Sequence, residues 1–158
     1  MTGDICSAAE AFATRYVSLW SSQDSSSLTK IAGVAQQVAS RYRPGFTFFT
    51  NGQVARFESQ AGASALIEKE LRAAIEAGLG AHMTLKALRS QQISDTSALC
   101  WITFEFHPAE SSGRQNWTFT NLYGYRAETQ GASAGFEFVV RDQEANEMKN
   151  SAGNVFDT

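Results

Sequence analysis

The sequence predicts an α+β domain in which three helices lie on one face of a curved antiparallel sheet and close it into a cone. Apolar residues recur at helical spacing through most of the first 80 residues, whereas from His82 onward they alternate, which is typical of strands. Eleven Phe, four Tyr and three Trp in 158 residues favour a core or cavity built from rings.

The first two predicted elements are amphipathic helices. Asp4 is a suitable cap for the first helix, and the run SSQDSSS separates it from the second. The second helix is expected to end at Arg43, because the residue before a proline avoids helical backbone angles. The apolar stripe of the first helix is Ile5, Ala8, Ala9, Phe12, Tyr16, Leu19 and Trp20, and that of the second is Leu28, Ile31, Ala35, Val38 and Tyr42.

A hairpin and a third helix follow. In FTFFT-NG-QVARF, Asn51-Gly52 lies between two runs rich in rings and β-branched residues, and this dipeptide suits a turn with positive φ at both positions. The third helix is predicted from roughly Ala63 to Ala77, with Gly78 and Gly80 closing it.

Four long strands complete the predicted domain, joined by turn-rich segments that suit an antiparallel meander. Their ranges are His82–Ile93, Ala98–His107, Asn116–Arg126 and Gly135–Asp142. Residues 1–145 are therefore predicted to form a single domain. Residues 146–158 contain few apolar side chains, and we expect them to be a flexible C-terminal tail.

Composition excludes several classes of function. The formal charge is −3 and no Lys/Arg-rich run occurs, which argues against a nucleic-acid partner. Cys6 and Cys100 form no disulfide framework, and the sequence has neither a signal-peptide pattern nor an apolar run near the ~18 residues of a membrane span. We therefore expect a cytoplasmic protein with no membrane partner. Two isolated histidines and the lack of a Gly-rich phosphate loop predict no metal and no cofactor.

The order and lengths of these elements, together with Ala81-His82-Met83 at the start of the first long strand, resemble the SnoaL-like group of the nuclear transport factor 2-like superfamily. The resemblance covers about residues 5 to 145. It implies a cone-shaped α+β barrel, or cystatin-like roll, with a hydrophobic pocket. This fold hosts isomerases, dehydratases, cyclases and plain binding modules, so it does not determine the function.

A partial likeness to scytalone dehydratase, a member of the superfamily, is carried by His82, His107 and Asn121-Leu122. In that family two histidines activate a water and an Asn holds the substrate. The family's Tyr-Asp pair at the end of the first helix is replaced here by Leu19-Trp20-Ser21-Ser22. The family also uses a Tyr at the start of the hairpin, where this sequence has Phe46 to Phe49 and no Tyr. The resemblance therefore implies a related pocket and not the same reaction.

The predicted catalytic residues are His82, His107 and Glu105. Glu105 and His107 lie two residues apart on one strand and share a face, so the carboxylate can raise the basicity of the imidazole. The alternative is ordinary alternation on a solvated face. Asn121, Tyr123 and the rings of their strand suit an apolar ligand held by a few polar groups, although a subunit interface would have a similar composition. The predicted substrate-binding residues are Asn121, Tyr123, Trp101, Trp117, Phe119, Tyr16, Trp20 and Phe49.

The stretch CWITFEFH has two unlike faces. We expect its mixed face, from Trp101 to His107, to point into the cone and its apolar face, from Cys100 to Phe106, to point outward. An outward apolar strip requires a partner, which predicts a homodimer that pairs sheet to sheet. The opposite assignment of the two faces stays open.

The resemblance implies a cofactor-free enzyme of secondary metabolism that acts on a small hydrophobic molecule of polyketide or terpenoid type. The expected chemistry is proton transfer leading to isomerisation, dehydration or cyclisation, with Asn121 and Tyr123 orienting the ligand. The alternative is a non-catalytic module of the same fold that binds a small molecule or only dimerises.

Overall fold

Six strands form one sheet in residues 2–152, the part of the chain that this computed structural model describes. The strands are β1 (Tyr42–Thr50), β2 (Gln53–Phe57), β3 (His82–Gln92), β4 (Ser97–His107), β5 (Trp117–Arg126) and β6 (Gly135–Val140). The α-helices are α1 (Thr2–Ser21), α2 (Ile31–Ala39), α3 (Gln60–Glu76) and α4 (Asp142–Ala152). Single 3-10 turns occupy Gln23–Ser26 and Glu110–Ser112. The predicted α+β class is confirmed.

The sheet has the order β2-β1-β6-β5-β4-β3. Strands β3 to β6 form the predicted antiparallel meander, whereas β1 lies parallel to β6, so the sheet as a whole is mixed. The hairpin between β1 and β2 is also confirmed, because Asn51 and Gly52 have φ values of 50° and 83°, as its turn requires. The sequence pattern therefore predicts that all six strands are present, but it misses the start of β1.

The second helix is shorter than predicted. It ends at Ala39, and Tyr42 begins β1 instead of closing the helical stripe. Gly45 has a φ of 87°, and the pairing of β1 with β6 shifts register between Tyr42 and Thr47. Pro44 therefore lies at an irregularity near the start of a strand, where the missing backbone N–H is tolerated.

The C-terminal segment forms a helix where a flexible tail was predicted. Residues 146–152 continue α4. Ala145 and Met148, three residues apart and therefore on one helix face, are 6% and 4% exposed. The Oδ1 atom of Asp142 accepts a hydrogen bond of 2.7 Å from the backbone N–H of Asn51, which ties the start of α4 to the hairpin. Residues 153–158 of the predicted tail lie outside the described residues.

The core lies between the helices and the inner face of the sheet, and it decides which side of CWITFEFH is buried. Ala98, Cys100, Ile102, Phe104 and Phe106 are each at most 2% exposed, so the apolar face points inward. The expectation that the mixed face lines the cone is therefore wrong. Burying an apolar face gains about 25 cal/mol per Å² and leaves no carboxylate to desolvate.

The outer face of β4 is the mixed one and carries Trp101, Thr103, Glu105 and His107, all half-exposed.

Within residues 2–152, no helix combines the length and the apolar character that crossing a membrane requires.

Candidate functional site

A cavity of about 40 Å³ lies between the inner face of the sheet and helices α1, α3 and α4. An adjoining cavity of about 40 Å³ lies beneath α4. The residues that contact both cavities are Trp20, Ile67, Glu70, Met83 and Glu144. The aromatic wall of the first cavity is Tyr16, Trp20, Tyr42, Phe48, Phe104 and Tyr123, and its polar groups are Glu70, Asn121, Arg141 and Glu144. Each space has room for little more than one water, whose share of liquid volume is about 30 Å³.

Three tyrosine hydroxyl groups face one another in this cavity. The hydroxyl oxygens of Tyr16 on α1 and Tyr42 on β1 are 2.6 Å apart, and the ring of Tyr123 meets Tyr16 edge to face at 5.4 Å. Burial raises the pKa values of Tyr16, Tyr42 and Tyr123 well above their ordinary value. The three hydroxyls therefore keep their protons. One proton of the Tyr16–Tyr42 pair is used between the two oxygens, which leaves the other proton of the pair and that of Tyr123 to donate to a ligand.

Arg141 and Glu70 form a bidentate ion pair at the cavity wall. Nη1 and Nη2 of Arg141 donate to the two carboxylate oxygens of Glu70 at 2.7 and 2.8 Å, and Nε donates to Oγ1 of Thr50 at 2.9 Å. The two charged side chains are only 9% and 11% exposed. Burial raises the pKa of Glu70 to about 7, and Arg141 opposes that rise. Burial works to lower the pKa of Arg141, but the Glu70 carboxylate raises it overall.

Asn121 and Glu144 bring an amide and a carboxylate to the same cavity from β5 and α4. Nδ2 of Asn121 donates to Oε1 of Glu144 at 2.9 Å and lies 3.4 Å from the Tyr123 hydroxyl. Asn121 is 2% exposed, and its buried Oδ1 atom accepts no hydrogen bond within the described residues. Burial raises the pKa of the partly buried Glu144, and Arg141 and Asn121 work against that rise. A proton on Glu144 is thus exchangeable nearer to neutral pH than on an ordinary carboxyl group.

Of the eight predicted substrate-binding residues, Asn121, Tyr123, Tyr16 and Trp20 line the cavity. Trp117 and Phe119 face the same side of the sheet, but they stack on Phe106 at 4.4 Å and on Phe104 at 5.2 Å within the core.

Trp101 and Phe49, the other two, lie on the outer face of the sheet. The guanidinium of Arg89 lies 3.9 Å above the Trp101 ring, and Phe49 is 38% exposed. These two rings cannot contact a ligand in the cavity.

The three predicted catalytic residues are brought together, but on the side of the sheet away from the cavity. His82 and His107 pair across β3 and β4 with ring centroids 5.1 Å apart, and Nε2 of His107 lies 3.6 Å from Oε1 of Glu105. Asn116 and Thr84 hydrogen-bond the two ring nitrogens of His107 at 3.0 and 2.8 Å. Burial, with His107 nearby, lowers the pKa of His82.

Four functional groups of the cavity were missed by the sequence reasoning: Tyr42, Glu70, Arg141 and Glu144. Glu70 carried a usable signal, because it lies on the side of α3 that buries Ile67, Leu71 and Ala74, where a carboxylate is out of place. Arg141 carried a weaker signal, which is only that a charged residue follows directly after the largely apolar strand β6. Across residues 2–152, no cluster of three or more His, Cys, Asp or Glu side chains is arranged to hold a metal ion.

No protein-family model matches this sequence, and a search of curated proteins finds no significant match. Solved structures do resemble it. A domain with a cystatin-like fold from Nostoc punctiforme has a TM-score of 0.60 at 12% identity, covering 89% of this chain and 77% of its own. A ketosteroid isomerase-like protein from Erwinia carotovora has a TM-score of 0.55 at 13% identity over 83% and 89%. A scytalone dehydratase-like protein from Novosphingobium aromaticivorans has a TM-score of 0.52 at 9% identity over 84% and 78%. At these identities the likeness concerns the fold.

Proposed function

The chain has the cystatin-like fold of the nuclear transport factor 2-like proteins, and we propose that it uses the interior of that fold as the active site of a cofactor-free, proton-transferring enzyme. One observation carries this proposal. A carboxyl group with a raised pKa, that of Glu144, shares an aromatic cavity with three tyrosine hydroxyls that keep their protons. A proton acceptor facing fixed hydrogen-bond donors is the minimal equipment for moving a proton beside a carbonyl group.

In the proposed reaction the substrate carbonyl oxygen lies at the hydroxyl pair of Tyr16 and Tyr42. Glu144 removes a proton from the carbon next to the carbonyl, and the electron pair of that bond moves toward the oxygen. The tyrosine hydroxyls stabilise the negative charge that develops there. Return of the proton from Glu144 to another carbon of the enolate gives isomerisation. Its delivery to a departing β-hydroxyl releases water and gives dehydration, whereas attack of the enolate carbon on a second carbonyl of the substrate, whose oxygen then takes the proton, gives cyclisation. The ring-rich wall and few polar groups favour a small polyketide- or terpenoid-like substrate.

The proposal is tested by proton exchange. Small cyclic and aromatic ketones in D₂O are expected to exchange the protons next to the carbonyl for deuterium faster with the protein than in buffer alone, which proton NMR measures directly. A panel that shows saturable binding but no accelerated exchange would contradict the proposed enzyme.

The catalytic roles of His82, His107 and Glu105 stay a prediction. The exchange rates of histidine variants distinguish these roles from the assignment of the proton transfer to Glu144. If the histidines carry the proton transfer, His82→Ala and His107→Ala each lower the exchange rate by about 10²–10⁴-fold. If Glu144 carries it, both variants keep the parent rate, and this is the result we expect because both rings lie across the sheet from the cavity. Circular dichroism and thermal unfolding of each variant identify any loss of rate that comes from unfolding.

A non-catalytic binding module is the second candidate, and the size of the cavity favours it. Ligand pockets for drug-sized molecules usually measure about 300–1,000 Å³, whereas this cavity measures about 40 Å³. A larger ligand therefore requires α4, which carries Glu144 and Met148, to move away from the sheet. Faster hydrogen exchange of α4 than of β4 and β5 would be expected in either case, and catalysis would then be decided by the ketone exchange alone.

We also propose a homodimer in which the outer faces of two sheets pair. The sequence analysis expected the apolar strip from Cys100 to Phe106 to form the dimer interface, but that strip is buried in the core and cannot do so. Instead, an apolar patch crosses five strands of the outer face: Val54, Phe49, Val140, Leu122 and Trp101. Val54 and Phe49 are 64% and 38% exposed. A patch of this kind suits a self-complementary interface.

Light scattering at micromolar concentration is expected to give the mass of a dimer for the parent. The double variant Phe49→Lys with Val54→Lys is expected to give a monomer, because two charges per subunit would be buried at the interface. Leu28→Lys is the matched control, because Leu28 is 45% exposed but lies in the turn before α2 and not on the outer face of the sheet. A monomeric parent, or a dimer in the double variant, would contradict this interface.

A further inference from the structure

We infer that the ligand of the cavity carries a cationic nitrogen, such as a protonated amine, which lies between Asn121 Oδ1, the Glu144 carboxylate and the aromatic wall. The inference rests on the proposed function only in placing a ligand in this cavity. It names the chemical class of that ligand, and it follows from the charge balance, the hydrogen-bond balance and the rings of the site.

The charge balance of the cavity is negative. The charged side chains that line it are Glu70 from α3, Arg141 after β6 and Glu144 from α4, while α1, β1 and β5 contribute tyrosines and Asn121. Both carboxylate oxygens of Glu70 accept hydrogen bonds from Arg141, so these two charges compensate each other. Above the pKa of about 7 of Glu70, where both carboxyl groups are ionised, Glu144 then leaves one net negative charge in a largely apolar enclosure. Such a charge is unfavourable unless a cation joins it.

The hydrogen-bond balance has an acceptor left over. Nδ2 of Asn121 donates to Glu144, and turning the amide round would set Oδ1 against a carboxylate oxygen at 2.9 Å, which is repulsive when Glu144 is ionised. Oδ1 is therefore buried and without a protein donor within the described residues. A ligand that offered only a carbonyl oxygen would leave this atom unpaired. An ammonium group has N–H donors for both Oδ1 and Glu144.

The wall of the cavity suits a cation as well. A positive charge is attracted to the face of Tyr, Trp or Phe within about 6 Å of the ring centroid. The guanidinium of Arg141 already lies 4.6 Å from the centroid of Phe48, so this enclosure holds one cation against a ring. A ligand hydroxyl would satisfy Asn121 but would leave the net charge uncompensated, which is why we infer a cationic nitrogen.

The test compares benzylamine with benzyl alcohol, two probes of nearly equal size and shape that differ in charge. We expect calorimetry or NMR titration at about pH 8 to give the amine at least a tenfold higher affinity, the change that about 1.4 kcal/mol produces. Glu144→Gln is expected to remove this preference. Glu147→Gln, on the same helix but outside the cavity, is expected to retain it.

The pH dependence of the parent protein provides a measurement that needs no variant. The affinity for benzylamine is expected to fall as the pH is lowered from about 8 to about 5, because Glu70, with a pKa of about 7, and Glu144, whose pKa burial raises, gain protons while the amine stays charged. The affinity for benzyl alcohol is expected to stay level. Equal affinities, a preference for the alcohol, or no saturable binding of benzylamine would overturn the inference. Accelerated ketone exchange in that event leaves the proposed enzyme standing, so the two failures are distinguishable.

Discussion

Replacing Glu144 with Gln is expected to lower the rate of ketone proton exchange by about 10²–10⁴-fold while the protein stays folded. The amide keeps the size of the carboxyl group but cannot accept a proton from carbon. It removes a carboxyl whose pKa burial has raised, so the folded state loses no favourable charge that it would need at neutral pH. The measurement is the rate of deuterium incorporation, followed by NMR at saturating ketone, with thermal unfolding recorded in parallel.

Two further variants define the specificity of that effect. Glu147→Gln makes the same chemical change on the same helix outside the cavity and should leave the rate at the parent value. Tyr16→Phe removes one hydroxyl of the 2.6 Å pair and should lower the rate less than Glu144→Gln, because Tyr42 and Tyr123 still offer donors. Exchange at the parent rate in Glu144→Gln would show that another group moves the proton.

The pH profile follows from the direction of the pKa shift. As a base, Glu144 acts when it is deprotonated, so kcat/KM for the ketone should rise with pH through a pKa above the ordinary value of a glutamate. This limb of the profile is expected to disappear in Glu144→Gln. A limb that stays in the variant would belong to another group, and Glu70, with a pKa of about 7, is the first to examine.

Local patterns determine the strands and the hairpin, and these were predictable. The period of two in β4 and the dipeptide Asn51-Gly52 depend on neighbouring residues alone. The period shows that β4 has two unlike faces, but it does not show which face the helices cover. The outcome depends on which side of β3 and β4 is covered by α1, and it places His82 and His107 outside the cavity.

The cavity itself depends on contacts between distant parts of the chain. Glu70 and Arg141 are separated by 71 positions, and Asn121 and Glu144 by 23. Neither pairing has a local signature. The sequence marks Glu70 and Asn121 as polar residues on apolar faces, but it does not show that Arg141 and Glu144 reach them. The predicted Asn121, Tyr123, Tyr16 and Trp20 do line the cavity, since their strand and helix faces follow from periodicity. Glu144 lay within the predicted domain but on no predicted helix, and Met148 lay in the segment whose low apolar content was interpreted as a tail.

Replacing Arg141 with Met is expected to lower the free energy of unfolding by about 3–5 kcal/mol near pH 8, the largest stability effect that this site offers. The side chain of Glu70, 11% exposed, would lose both of its hydrogen bonds from the guanidinium and remain as an unpaired buried carboxylate. Urea unfolding followed by circular dichroism measures the loss.

The pH dependence and a double variant separate the loss of the ion pair from simple loss of packing. Burial already raises the folded-state pKa of Glu70 to about 7, and without Arg141 it rises further. A raised folded pKa penalises the folded state as pH climbs above the ordinary value, so the deficit of Arg141→Met should be smallest near pH 5 and grow toward pH 8. Adding Glu70→Met removes the unpaired charge and should restore stability to within about 1 kcal/mol of the parent, with no pH dependence from this site. A deficit that is the same at both pH values, and that the second substitution leaves in place, would mean that Arg141 stabilises the fold through its contacts with Thr50 and Phe48 rather than through Glu70.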